Sequence, residues 1–257
     1  MPFTVAHAAV APPLARGSRG RLPASALAIG AMAPDLEYLV FLQTRRTVGH
    51  SLLGLLAFCL PVSLLLLLVW HRVVKGPLAR LLPRRWGHLA AALDRPLAFG
   101  SWTARARVAA AVLVGAASHV VWDAFTHSDG AAVGRFAPLR DVVPLLDVRV
   151  YTALQYGGGV LGMAVLGVAV VLWAREQPVR PVELPPARHR AAAVAGILAA
   201  ALALAAANVA RTMNDGPAGL RILVVAAVLG AMTGGSLAAM TYALARGLRR
   251  PPAPSGS

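Results

Sequence analysis

Long apolar segments recur along the chain, separated by short stretches rich in arginine. A helix needs about 20 apolar residues to cross the hydrocarbon core of a membrane. Five segments are long enough to cross it, at approximately 51–71, 108–127, 152–174, 191–210 and 222–245. A sixth, 22–42, contains Asp35 and Glu37 behind Pro34, so it either spans or is broken or re-entrant. The pattern predicts an all-α, multi-pass integral membrane helical bundle with five or six transmembrane helices and a short N-terminal helix.

The composition favours a membrane protein over a nucleic-acid-binding one. Hydrophobic residues make up 58% of the 257 residues, and the mean hydropathy is +0.65, too apolar for a soluble domain of this size. The net charge of +15 comes almost entirely from arginines between the apolar segments, as loops of membrane proteins require. No basic patch with interleaved aromatic residues points to nucleic acid. The single cysteine, Cys59, excludes a disulfide or a cysteine-based zinc site within one chain.

The charges of the loops predict an orientation. Cytoplasmic loops carry an excess of Lys and Arg. The chain between segments 51–71 and 108–127 contains one acid, Asp94, and eight basic residues: Arg72, Lys75, Arg80, Arg84, Arg85, Arg95, Arg105 and Arg107. This loop is therefore predicted to be cytoplasmic, and alternation places 128–150 outside and the C-terminus in the cytoplasm. If 22–42 also spans, Arg45 and Arg46 follow it on the outside.

The polar residues divide the chain into unlike parts. Six of the seven histidines and seven of the ten acids precede residue 175. We therefore predict an N-terminal membrane domain, 1–174, that carries any chemistry. A Pro- and Arg-rich cytoplasmic linker, 175–190, leads to a helical hairpin, 191–250, whose small residues suit close helix packing in a scaffold. The tail 251–257 is predicted to be disordered.

Ionisable residues within apolar segments are costly to bury, so they usually have a pairing partner or a functional role. His119, Asp123 and His127 are spaced by four residues, which places them along one stripe of a helix. A neutral imidazole and a carboxylate one turn apart are ordinary ligands of zinc or another divalent metal. The predicted orientation also brings His50, and Asp35 if its segment spans, to the same outer face.

Simpler interpretations compete with a metal site. A lone interfacial histidine is usually a satisfied helix-end residue, and a His and an Asp one turn apart can simply hydrogen-bond. The coincidence of this pair with His50 and Asp35 favours a metal or catalytic centre. The other histidines, His71, His88 and His189, neighbour arginines in predicted cytoplasmic loops, where contact with solvent or lipid headgroups is favoured.

Four motifs resemble the uncharacterised bacterial DUF4184 membrane proteins: 2–9, 32–35, 50–54 and 118–127. The order of an N-terminal His, a Pro-Asp, a His-Ser and a His-x-x-x-Asp is also similar to inner-membrane proteins described as metal-dependent hydrolases, distantly similar to zinc-dependent phospholipase C-like helical proteins. The resemblance covers roughly residues 1–160. It implies a bacterial inner-membrane location and a set of metal ligands or close supports, namely His7, Asp35, His50, His119 and Asp123. Glu37 stands where such hydrolases often have a second Asp.

His7 fits this ligand set only under certain topologies. If 22–42 spans, the N-terminus starts in the cytoplasm, opposite the other ligands. Either residues 2–14 dip into the membrane, with Pro12 and Pro13 ending that short helix, or 22–42 is re-entrant. In the third alternative His7 is not a ligand.

Two functions follow from these residues. The first is an integral membrane metal-dependent hydrolase that binds zinc, or alternatively manganese, and cleaves a phosphoester-type bond at the extracytoplasmic face, with Glu37 or His127 as general base or supporting residue. Membrane lipids are its expected partners, and its location suggests a lipid or lipid-linked substrate. The second is a non-enzymatic transporter or scaffold whose buried His/Asp cluster moves ions or holds helices together.

Overall fold

A computed structural model describes residues 4–42, 48–93, 97–179 and 182–247. Within them the α-helices are α1 Ala11–Gly17, α2 Ala24–Met32, α3 Leu36–Phe41, α4 Leu52–Gly54, α5 Leu60–Val69, α6 Lys75–Ala79, α7 Gly87–Leu93, α8 Trp102–Thr126, α9 Ala131–Arg135, α10 Val150–Arg175, α11 Ala187–Asn214 and α12 Leu220–Gly247. The 3-10 segments are Thr4–Val10, Ala33–Asp35, Arg84–Trp86 and Ala137–Arg140, and the π segments are Leu55–Cys59 and Trp70–Val74. Strands β1 Val142–Val143 and β2 Val148–Arg149 form an antiparallel hairpin.

Six helical stretches in these ranges are long and apolar enough to cross a membrane: Ala24–Phe41, Leu52–Ala79, Trp102–Arg135, Val150–Arg175, Ala187–Asn214 and Leu220–Arg246. The prediction of an all-α, multi-pass helical bundle is confirmed. The first stretch is the shortest and changes to a 3-10 turn at Ala33–Asp35, where Pro34 cannot donate a helical hydrogen bond.

The second stretch corrects a predicted boundary. The helix continues through a π turn at Trp70–Val74 to Ala79, so Arg72 and Lys75 lie on the helix and not in a loop. Lys75 is buried, and its Nζ lies 2.8 Å from Nδ1 of His71, at the predicted end of the segment. Long basic side chains can extend their apolar stems along a helix, so a basic residue near a helix end is a weak boundary signal.

The chain forms two compact units. The first comprises 1–37, 45–67 and 98–175, and the second comprises 38–44, 68–97 and 176–257. The division into a functional domain 1–174, a linker 175–190 and a scaffold 191–250 stays a prediction. Residues 45–46, 180–181 and the tail 251–257 lie outside the described residues.

In the first unit, α2 and α8 approach each other through glycines. A methyl group at Gly30 would overlap the Val112 carbonyl of α8, and one at Gly115 would overlap the Leu27 carbonyl of α2. Only a residue without a side chain permits this backbone contact. The contact places the end of α2, and the Asp35 turn that follows it, beside the polar stripe of α8.

The N-terminal segment Thr4–Val10 packs into the same unit. It contacts α2 and α10, and a methyl group at Gly162 of α10 would lie 2.7 Å from the Ala6 carbonyl oxygen. The prediction that Pro12 and Pro13 end this segment is wrong, because both prolines lie in the first turn of α1. The first helical turn tolerates proline since its amides have no helical acceptor.

In the second unit, α11 and α12 form a hairpin, called here the C-terminal hairpin. Its contact uses small residues: a methyl group at Gly230 or Gly234 would lie 2.5 Å from the carbonyl oxygen of Leu204 or Ala200. Small residues at such a contact are typical of membrane helix pairs.

Candidate metal centre

Four side chains of the first unit meet at one point. Asp35 ends the 3-10 turn after α2, His50 lies in the turn before α4, and His119 and Asp123 occupy consecutive turns of α8. One ligand atom from each of them lies within 4.8 Å of all the others. The two carboxylates and His119 are buried, and the side chain of His50 is 12% exposed.

The distances within this group fit the spacing of metal ligands better than that of short hydrogen bonds. His119 Nε2 lies 3.4 Å from both Asp35 Oδ1 and Asp123 Oδ2, and His50 Nε2 lies 3.6 and 3.5 Å from the same two atoms. A hydrogen bond from N–H to O spans about 2.7–3.2 Å. By contrast, zinc–ligand bonds of about 2.0–2.1 Å put tetrahedral ligands about 3.3–3.4 Å apart. Two imidazole nitrogens and two carboxylate oxygens at this spacing fit a divalent cation.

Hydrogen bonds on the outer side orient two of these groups. His119 Nδ1 lies 2.7 Å from the Ala31 carbonyl, which can only accept, so Nδ1 carries a proton and Nε2 faces the carboxylates. Asp35 accepts a hydrogen bond from Thr4 Oγ1 on Oδ2 at 2.8 Å, and its Oδ1 faces the two histidines. Such partners fix the tautomer and the orientation of metal ligands.

His7 lies beside this group and not among its four members. Its ring stacks on that of His119, with centroids 3.6 Å apart, and its Nε2 lies 3.6 Å from Asp123 Oδ1. Burial, and to a smaller extent the neighbouring His119, lowers the pKa of His7 to about 3. A neutral imidazole is the form that binds metals.

Glu37 is bonded to the turn that carries His50. Its Oε1 accepts hydrogen bonds from the backbone amides of Val48 and Gly49. Gly49 allows this approach, because a methyl group there would lie 3.0 Å from Glu37 Oε1. The interpretation of Glu37 as a general base stays a prediction, but its carboxylate already serves to hold the turn before His50.

His127 does not continue the helical stripe as predicted. The helix α8 ends at Thr126, and His127 has an extended backbone conformation. Its Nδ1 nevertheless lies 3.4 Å from Asp123 Oδ1, and Gln155 of α10 lies 3.0 Å from its Nε2. The ring therefore stays beside Asp123, but through the C-terminal turn of the helix and not through helical spacing.

Three contributors were missed in the sequence. They are the Thr4 hydroxyl, the Ala31 carbonyl and the Gln155 amide. Gln155 did leave a signal, since it is a lone amide near the start of an apolar segment. The Ala31 carbonyl left no signal, because every residue has a backbone carbonyl. The remaining histidines, His71, His88 and His189, belong to the second unit.

The fold and the site define a multi-pass helical membrane protein with a buried His/Asp cluster that could hold a metal ion. The model of the family described as "Domain of unknown function (DUF4184)" matches residues 1–244, so the chain belongs to this family. This match confirms the resemblance to DUF4184 and extends it through most of the C-terminal hairpin. No curated protein and no solved structure matches the chain. The distant similarity to metal-dependent hydrolases stays a prediction.

Proposed function

We propose that the chain is an integral membrane metal-dependent hydrolase acting on a phosphoester-type bond at the extracytoplasmic face. The observation that carries this proposal is the convergence of Asp35, His50, His119 and Asp123 at metal-ligand spacing. A divalent cation at this position, zinc or manganese by the mixed imidazole and carboxylate donors, would polarise the phosphoryl group and activate a water molecule.

Residues of the chain would orient the metal ligands and transfer protons. Thr4 and the Ala31 carbonyl fix Asp35 and His119, and Glu37 holds the turn that presents His50. Glu37 and His127 are the two candidate bases, and Nδ1 of His127, whose side chain is 16% exposed, lies 3.4 Å from Asp123 Oδ1. A carboxylate or an imidazole beside the bound water could take up a proton from it or release one to a leaving group.

The proposed substrate is a lipid or a lipid-linked phosphoester. The site belongs to a unit built from apolar helices, and the loop predicted to lie outside carries exposed apolar side chains. At the tip of the β1–β2 hairpin in that loop, Leu145 is 92% and Leu146 is 59% exposed. Apolar side chains in this position suit contact with a lipid leaflet.

Reporter fusions test whether the site lies at the extracytoplasmic face of the membrane. A reporter after His88 should be cytoplasmic, and one near Asp141 should be extracytoplasmic, because the basic segment 72–107 favours retention of this side in the cytoplasm. The opposite result at both sites would move the centre to the cytoplasmic face.

The proposed activity is tested on the detergent-purified full chain. Its metal content is measured, and hydrolysis of bis(p-nitrophenyl) phosphate and of phospholipid vesicles is assayed before and after chelation. We expect bound zinc or manganese and a hydrolysis rate that chelation abolishes and added metal restores. Asp35→Asn, which keeps the size of the side chain, should lower both metal content and rate. A chain that binds no metal and hydrolyses neither substrate would instead favour a transporter or scaffold.

A further inference from the structure

We propose that Asp123 bridges two divalent cations, and that His7 and His127 complete the second position. This inference rests on the proposed metal centre and extends it, and it leaves Glu37 as the candidate general base. The two oxygens of Asp123 face different partners. Oδ2 faces His50 and His119, as described above, whereas Oδ1 lies 3.6 Å from His7 Nε2 and 3.4 Å from His127 Nδ1.

The second group repeats the spacing of the first. Both nitrogen–oxygen distances exceed the range of about 2.7–3.2 Å for a hydrogen bond and match the separation of two ligands on one cation. The side chains of His7 and Asp123 are 3% and 4% exposed. Within the described part of the chain, the buried Nε2 of His7 has no hydrogen-bond partner. A buried nitrogen normally has a partner, and a cation would supply it.

His127 is held by a group that can set its tautomer. The side-chain nitrogen of Gln155 lies 3.0 Å from His127 Nε2. Binding a metal through Nδ1 requires a proton on His127 Nε2, so the Gln155 amide must turn its oxygen toward the ring, which exchanges two atoms of nearly the same shape. His127 would then be fixed in the same way as His119, whose outer nitrogen donates to a carbonyl.

The two positions differ in the number of protein ligands. Four protein atoms surround the first position and three surround the second, which leaves more room for water or substrate at the second position. The charges differ too. The carboxylates of Asp35 and Asp123 neutralise one divalent cation, so a second leaves a positive excess. An anionic phosphoester is the class of substrate that this excess favours.

The test counts bound metal. The full chain in detergent is loaded with Mn²⁺ or Zn²⁺, freed of excess ion, and measured for metal per chain. We expect two equivalents in the unaltered chain and one in His127→Ala and in His7→Phe, which keeps an aromatic ring on His119. Asp123→Ala should retain less than one equivalent, because it contributes to both positions. His189→Ala, on α11, should retain two.

A spectroscopic readout on the unaltered chain covers the case of a variant that does not fold. Two Mn²⁺ ions sharing a carboxylate should give an exchange-coupled electron paramagnetic resonance spectrum at saturation, and His127→Ala should give that of an isolated ion. A single equivalent in the unaltered chain, unaffected by His7→Phe and His127→Ala, would overturn the second position and leave the hydrolase proposal standing. Two equivalents without hydrolysis of any phosphoester would support the second position and overturn the hydrolase.

Discussion

The first unit and the C-terminal hairpin are both built from apolar helices, yet they use polar residues differently. In the first unit, acids and histidines from distant parts of the sequence are buried together. In the hairpin, two 28-residue helices run without a break, and the buried polar residue is Asn208, which donates hydrogen bonds to the Ala226 and Leu42 carbonyls.

The backbone is also less regular in the first unit than in the C-terminal hairpin. In the first unit a 3-10 turn at Ala33–Asp35 and a π segment at Leu55–Cys59 interrupt the helices on either side of the His50 turn. Irregular backbone of this kind re-aims side chains. In the turn between these two segments, the backbone amides of Val48 and Gly49 donate hydrogen bonds to Glu37. A regular helix such as α11 can present small residues to a neighbour, but it cannot gather groups from several segments at one point.

The largest effect should come from removing a ligand. His119→Ala and Asp123→Ala should each lower metal affinity by more than the roughly 10–100-fold that loss of an outer partner costs. Isothermal titration with Zn²⁺ measures this change. The matched histidine on the hairpin, His189→Ala, should leave the affinity unchanged. Equal metal affinity in all three variants would show that the His/Asp cluster of the first unit does not bind the metal.

Glu37→Gln should have the next largest effect. The amide is nearly isosteric but uncharged, so it holds the Val48 and Gly49 amides less strongly and orients His50 less well. We expect metal affinity to fall about tenfold, as for other supports of a ligand. Unchanged affinity combined with lost hydrolysis would instead identify Glu37 as the general base.

A pair of glycine substitutions compares the packing of the two regions. Gly115→Ala and Gly234→Ala each place a methyl group against a backbone carbonyl and should cost about 1–3 kcal/mol of stability. Because Gly115 holds α8 against α2, its variant should also bind metal more weakly. Thermal unfolding in detergent and metal titration separate the effects. Gly196→Ala, where a methyl group meets nothing within 4 Å, serves as the control.

The smallest effect is expected for Asn208→Ala. Hydrogen bonds between membrane helices contribute about 0.6 kcal/mol on average, so a slight fall in unfolding temperature should follow. Metal content should not change. A loss of metal in this variant would show that the buried polar network of the second unit influences the centre in the first.

The apolar segments and the four converging polar side chains could be predicted from the sequence, because segment length and loop charge are properties of the chain itself. Asp35, His50, His119 and Asp123 could be grouped since each falls near the same predicted end of its segment. The hydrogen bonds from Val48 and Gly49 to Glu37 could not be predicted, because they depend on how a turn folds back. The extended backbone of His127 after α8 and the position of His7 beside Asp123 could not be predicted either, because a four-residue spacing gives no sign of where a helix ends or which distant segment packs against it.

The convergence of Asp35, His50 and the two α8 residues at one candidate metal site would influence the abundance of the protein in the cell. A cation held there would tie together segments that are far apart in sequence, so its binding free energy would add to the folding free energy. At a free-ion concentration about 100 times the dissociation constant, this linkage would contribute about 2.7 kcal/mol. When the ion is scarce, that contribution would disappear, and a larger fraction of chains would unfold and become available to proteases. The abundance of the protein would then follow the supply of the ion without any separate sensor.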